Sequence, residues 1–181
     1  MRTVIIGIIS LIIVAAAPAL GYPLPPGSAD RAERYELWRA EVEKGERAMA
    51  EGRWSDAEPS FEKVIEESRA IDDHSLLLAR ALDRLGDLRR RDERWQDAEL
   101  LYLEAATLWE RHLGPAQPRL AITLHNLGVI YIGQERYEEA RTTLHRALTI
   151  IEQTLGTEAE QAADTRLALQ ATERRARSTQ P

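Results

Sequence analysis

The sequence predicts an all-α fold, an α-solenoid of about three helix pairs closed by one C-terminal capping helix. Three observations carry the prediction. Gly86 and Gly128 are 42 residues apart, and Leu82/Leu124, Leu85/Leu127, Trp95/Tyr137, Ala98/Ala140 and Ala105/Ala147 keep that spacing. Self-similarity at a fixed period marks a stacked array, whose units are too small to bury their apolar faces alone and cover one another. Apolar residues recur every three or four positions from about Ala29 to Ala176, the spacing of one helix face. Leu113-Gly114-Pro115 and Leu155-Gly156 place a helix-ending glycine at the same point of successive units.

The elements follow in order. Residues 1–19 read as a secretory signal peptide: Arg2, an apolar stretch from Val4 to Ala17 broken only by Ser10, then small residues in A-x-A spacing, with cleavage after Ala17 or Ala19. The apolar stretch is also near the short end of the ~17–25 residues of a spanning helix, so an uncleaved anchor is the alternative. Residues 20–30 form a linker, because Pro23, Pro25 and Pro26 do not fit a helix interior. The array occupies residues 31–156, in units of about 31–71, 75–114 and 118–156. In the first unit Tyr35, Trp38, Val42, Gly45 and Met49 form a stripe, Gly52-Arg53-Trp54 turns the chain, and Ser55-Asp56-Ala57-Glu58 has the form of a capping box. Phe61, Val64 and Ile65 continue inward. This unit aligns with the next at 41 residues, through Gly45/Gly86, Trp54/Trp95, Ala57/Ala98 and Phe61/Tyr102.

In the second unit Leu78, Leu82 and Leu85 give one inward face, and Ala98, Leu101, Tyr102 and Ala105 the other. Gly114 should end that helix in a left-handed residue. Pro118 suits the first turn of the third unit. A cap begins at Thr157 or Glu158 and runs to about Arg177, with Ala163, Leu167 and Ala171 as its apolar side and a polar remainder of the kind that solubilises an array's end. Residues 178–181 are an expected disordered tail.

Composition narrows the function. The chain is 44% hydrophobic and 30% charged, enough to build a core and stay soluble. Its formal charge of −6, or −7 once Arg2 leaves with the leader, argues against nucleic acid as partner. There is no cysteine, which removes disulfides, thiol chemistry and a lipidated N-terminal cysteine from consideration. A bacterial periplasm or secretion is the expected destination, with a membrane anchor if the leader stays. His74, His112, His125 and His145 form no H-x-x-x-H and no triad with a serine and a carboxylate. No glycine-rich phosphate loop is present. The sequence therefore predicts a protein without enzymatic activity, cofactor or metal.

The repeats resemble the tetratricopeptide repeat, whose W-x2-L-G-x2-Y…A-x3-F frame is matched by Leu124 to Tyr131 followed by Ala140 and Leu144, and by Leu82, Leu85, Gly86, Ala98 and Tyr102. Gly45, Ala57 and Phe61 keep it in the first unit. The 42-residue form is similar to the kinesin light chain class, on Leu120 to Leu127, Arg136 to Ala140, Arg146 to Leu148, and Ala57-Glu58-Pro59. The resemblance covers about Tyr35 to Gly156. It implies a concave groove lined by the first helix of each pair: Arg39, Val42, Glu46 and Met49; then Arg80, Asp83, Asp87, Arg90 and Arg91; then Ile122, His125, Asn126, Val129 and Ile132. Asn126 matches an asparagine that in this family hydrogen-bonds the backbone of a bound extended peptide; Arg84 stands there in the second unit. The implied partner is a protein or extended peptide. The alternatives are a solvated, self-paired arginine face and an apolar patch at Ile122, Val129 and Ile132 that a second copy covers as a homodimer. Trp109 reads as core, and Trp54 and Trp95 as plugs within their helix pairs.

Overall fold

The computed structural model describes residues 28–70 and 76–178. The leader, the linker up to Gly27, the connector 71–75 and tail residues 179–181 lie outside them. The chain divides into two units, residues 1–40 and 41–181. The described part of the first is helical, with Trp38 buried and Arg39 paired to Glu36 at 3.0 Å.

The described residues form seven helices and no strand. They are α1 (Ser28–Ala50), α2 (Trp54–Ala70), α3 (Leu76–Arg91), α4 (Trp95–Leu113), α5 (Pro118–Gly133), α6 (Tyr137–Thr154) and α7 (Glu160–Ser178). Within residues 41–181 each helix packs on its sequence neighbour, α3 on α4 and α5 on α6 most extensively. Glycine makes that approach possible. A Cβ on Gly45 would lie 2.6 Å from the Phe61 ring, on Gly86 2.8 Å from the Tyr102 ring, and on Gly128 2.5 Å from Leu144 Cγ. The repeated glycine is thus where the second helix of each pair seats a large buried side chain.

The hairpin turns are built alike. Arg53 N–H donates to Ala48 O, Arg94 N–H to Arg89 O and Arg136 N–H to Tyr131 O, each at 2.8 Å. The residue before each arginine has a positive φ: Gly52 at 72°, Glu93 at 58° and Glu135 at 62°. This is the Schellman ending of a helix. The same arginines precede the next helix and pair with a carboxylate three residues on, Asp56, Asp97 or Glu139. A carboxylate in the first turn is favoured by the helix dipole.

Four expectations change. α2 begins at Trp54, so Ser55 is inside the helix rather than capping it, and Glu58 pairs with Arg89 instead. Gly114 has the positive φ expected of a helix-ending glycine, 89°, but its ψ of 172° lies outside the αL well, so the chain leaves α4 without a left-handed helical residue. The turn tryptophans plug the seam between pairs: Arg91 lies 4.7 Å over the Trp54 ring, and Trp95 stands against Gly133 of α5. The capping helix is turned over. Its buried residues are Ala162, Thr165, Leu169 and Thr172, while Leu167 is 61% exposed. Thr165 and Thr172 can be buried because each hydroxyl donates to the carbonyl four residues back, Gln161 O at 2.7 Å and Ala168 O at 2.8 Å.

Candidate functional site

Within residues 41–181, α3, α5 and α7 pack side by side as one layer, joined on the α3 side by the 41–50 part of α1. Polar ties cross each seam of this layer, and they repeat with the sequence. Arg80 and Arg84 on α3 donate to the Glu46 carboxylate on α1, Nε to Oε1 at 2.9 and 3.0 Å. One unit later Asn126 Nδ2 on α5 donates to Asp87 Oδ1 on α3 at 3.1 Å. The carboxylate of one unit thus reaches the position equivalent to Arg84 and Asn126 in the next. A second tie also recurs: Thr123 hydroxyl donates to Asp83 at 2.8 Å, and His125 meets the Thr165 hydroxyl at 2.9 Å, both 40 residues apart. With the Thr165 proton on Gln161 O, His125 Nδ1 is the donor in that bond.

Electrostatics follow from these contacts. Burial alone would raise the Glu46 carboxyl, but the hydrogen bonds from Arg80 and Arg84 outweigh it and hold it below the usual range. At Asp83 burial wins: its carboxyl is pushed up to about 7 although Trp109 Nε1 at 2.7 Å and Thr123 both donate to it. Burial, aided by the Arg90 cation, lowers the His125 imidazole against the pull of Asp164. The arginine face of α3 is self-paired, Arg80 and Arg84 with Glu46, Arg84 with Asp87 and Arg91 with Asp92. Arg90 is different: its Nε is buried without a hydrogen-bond partner.

The residues expected to line a groove divide into three groups. Val42 and Ile132 are buried, Ile132 in a core cluster with Tyr102 and Leu144, and Asp83 is enclosed by Trp109 and Thr123, as core packing around Trp109 requires. Glu46, Arg80 and Asp87 are half-buried in the ties; Met49, Arg90 and Val129 are half-buried too, and Arg39 is exposed in the first unit. Ile122, His125 and Asn126 come together on one cavity of about 250 Å³. Its remaining walls are Ile151 of α6 and Gln161, Asp164 and Thr165 of α7, which the sequence reading did not place in a site. The 42-residue frame carried past Gly156 would have found Asp164, which stands at the position of Ile122, but not Gln161 or Thr165, whose equivalents Arg119 and Thr123 were not groove positions.

Comparison with known proteins agrees with this architecture. A search of curated protein sequences returns no match. The solved structure of BtubC (BKLC) from P. vanneervenii, a kinesin light chain-like repeat protein, is similar with a TM-score of 0.71 at 22% sequence identity. The match covers 77% of this chain and 56% of that one, so this chain spans little more than half the length of its structural relative. The profile described as tetratricopeptide repeat matches residues 39–111 and 119–180. Paired helices, glycine-seated packing and a 42-residue period recur over those same residues, and the chain belongs to the tetratricopeptide-repeat family.

Proposed function

We propose that this chain is an exported protein-interaction scaffold that takes an extended segment of a partner protein along the α3–α5–α7 layer. The observation that carries this reading is the cavity at Ile122, His125 and Asn126. Elsewhere the layer's polar groups are used to hold repeats together, whereas here it opens. Ile122, 39% exposed, and Ile151 supply an apolar wall. Asp164 and the Asn126 carbonyl supply acceptors for a partner's backbone or side-chain donors, because Asn126 gives its Nδ2 to Asp87. A scaffold whose binding groups are already fixed by ties spends little ordering free energy of its own on binding. Export rests on the leader-like residues 1–19; if that segment is retained, the same domain is held at a membrane. Amino-terminal sequencing of the mature protein separates the two.

The test uses full-length protein as bait on the exported fraction. Ile122→Glu places a charge on the cavity wall, and Leu100→Glu, at a residue 68% exposed on α4, is the control outside it. A partner bound at the cavity should be retained by Leu100→Glu and weakened at least ~10-fold by Ile122→Glu. A partner that Ile122→Glu retains would move the interface off this layer and overturn the proposal.

A further inference from the structure

The outward side of α7 is not covered by another helix among the described residues. In the three helix pairs the first helix offers its glycine to the second, but the α7 residue 42 positions after Gly128 is Gln170, and it is exposed. No helix follows α7 among the described residues. The buried side of α7, at Ala162, Thr165, Leu169 and Thr172, is directed onto the array, so the opposite side is Glu160, Ala163, Asp164, Leu167, Gln170 and Arg174 at helical spacing. Leu167 at its centre is 61% exposed, although a leucine there gains nothing from water.

We infer that this face docks a second copy of the chain, with two α7 helices antiparallel about a two-fold axis at Leu167. Chemistry selects this arrangement. Positions equally spaced on either side of 167 face each other across such an axis. Leu167 then meets Leu167 of the other copy, and Ala163 meets Ala171, small residues that allow close approach. Gln170 meets Asp164 as donor to acceptor, and Arg174 meets Glu160 as cation to anion, twice by symmetry. A parallel pair would set Glu160 on Glu160 and Arg174 on Arg174. The antiparallel pair also repeats the packing sense that the three-residue turns impose inside each helix pair. This surface shares Asp164 with the rim of the Ile122 cavity but is centred on Leu167, and Leu167, Glu160 and Arg174, through which it is tested, do not line that cavity.

The absence of cysteine allows a direct test in the full-length chain. Leu167→Cys keeps a small apolar side chain and puts a thiol on the axis, where the close Cα approach of a disulfide is met. Under mild oxidation it should give interchain disulfide dimer on a non-reducing gel, while Thr142→Cys, exposed on α6, should give little. Adding Glu160→Arg or Arg174→Glu to Leu167→Cys should lower the yield about three- to tenfold by setting like charges together. Mixing those two single-reversal proteins should restore it, because their faces are then complementary, and so should the double reversal in one chain. Circular dichroism of each variant checks that α7 is still helical. Dimer from Thr142→Cys equal to that from Leu167→Cys would overturn the proposal, and so would a yield indifferent to the reversals.

Discussion

At Asp83 two opposing effects meet. Burial raises the carboxyl, the Trp109 and Thr123 donors lower it, and burial wins, from an ordinary 3.8 to about 7. The protonated form is well accommodated: its O–H can donate to Thr123 Oγ1, whose own proton turns to Arg119 O at 3.1 Å, while Trp109 Nε1–H donates to the other oxygen. An acid whose folded pKa is raised contributes stability that is fully present below its unfolded pKa and is lost as pH rises through the folded value. Stability should therefore fall from about pH 4 to pH 7 by on the order of 1–3 kcal/mol. Glu46 has the opposite sign, its contribution being lost as pH falls through a lowered pKa, so the two windows separate. Asp83→Asn keeps the shape, the acceptor for Trp109 and a donor for Thr123, but cannot titrate. Denaturant midpoints measured from pH 4 to 8 should lose this fall in that variant and keep only the rise with pH that the lowered His125 imidazole contributes. Parallel curves for the two proteins would remove Asp83 from the pH dependence.

Among the elements, the turns show a conflict between sequence and backbone. Glu93 and Glu135 occupy the left-handed position that Gly52 fills in the first unit. A residue with a Cβ is strained there by about 1–2 kcal/mol, whereas glycine costs roughly 0.5–1 kcal/mol of unfolded-state entropy. Glu93→Gly and Glu135→Gly should each raise stability by up to ~1 kcal/mol, read as a higher melting temperature, while Gly52→Ala should lower it. Lower melting temperatures for both glutamate replacements would show that their side chains contribute more than the strain removes. Helix pairs, seating glycines and turn positions were legible in the sequence because each recurs in register. The face of α7 was not. Buried Thr165 and Thr172 read as polar until their hydroxyls are seen to be satisfied within the helix, and exposed Leu167 reads as core. The site was half legible for the same reason: Ile122, His125 and Asn126 followed from the repeat frame, but Gln161, Asp164 and Thr165 sit on the helix taken as a cap.

For the molecule as a whole, the repeated seams imply that stability is distributed along the array rather than held in one core. In such an array each unit feels only its neighbours. Arg89 offers a way to examine this. It lies on α3 with only 8% of its surface exposed, yet its guanidinium reaches Glu58 and Glu62 on α2, donating to Glu62 Oε1 at 2.9 Å. Those two carboxylates are partly exposed and can take up water when the arginine is gone, so Arg89→Ala removes a tie and the packing of a long stem without stranding buried charge. A cost of roughly 1–3 kcal/mol is expected, concentrated at the seam between the first and second pairs. Native-state hydrogen exchange localises it. Amides of α2 should lose about tenfold or more in protection, since each 1.4 kcal/mol is a factor of ten, while those of α6 and α7, two seams away, should keep theirs. An equal loss along the whole chain would mean that the helices open as a single cooperative body. The ties among α3, α5 and α7 would then have to be read as features of one core rather than as successive interfaces, and the cavity at Ile122 could not loosen or tighten independently of the first pair.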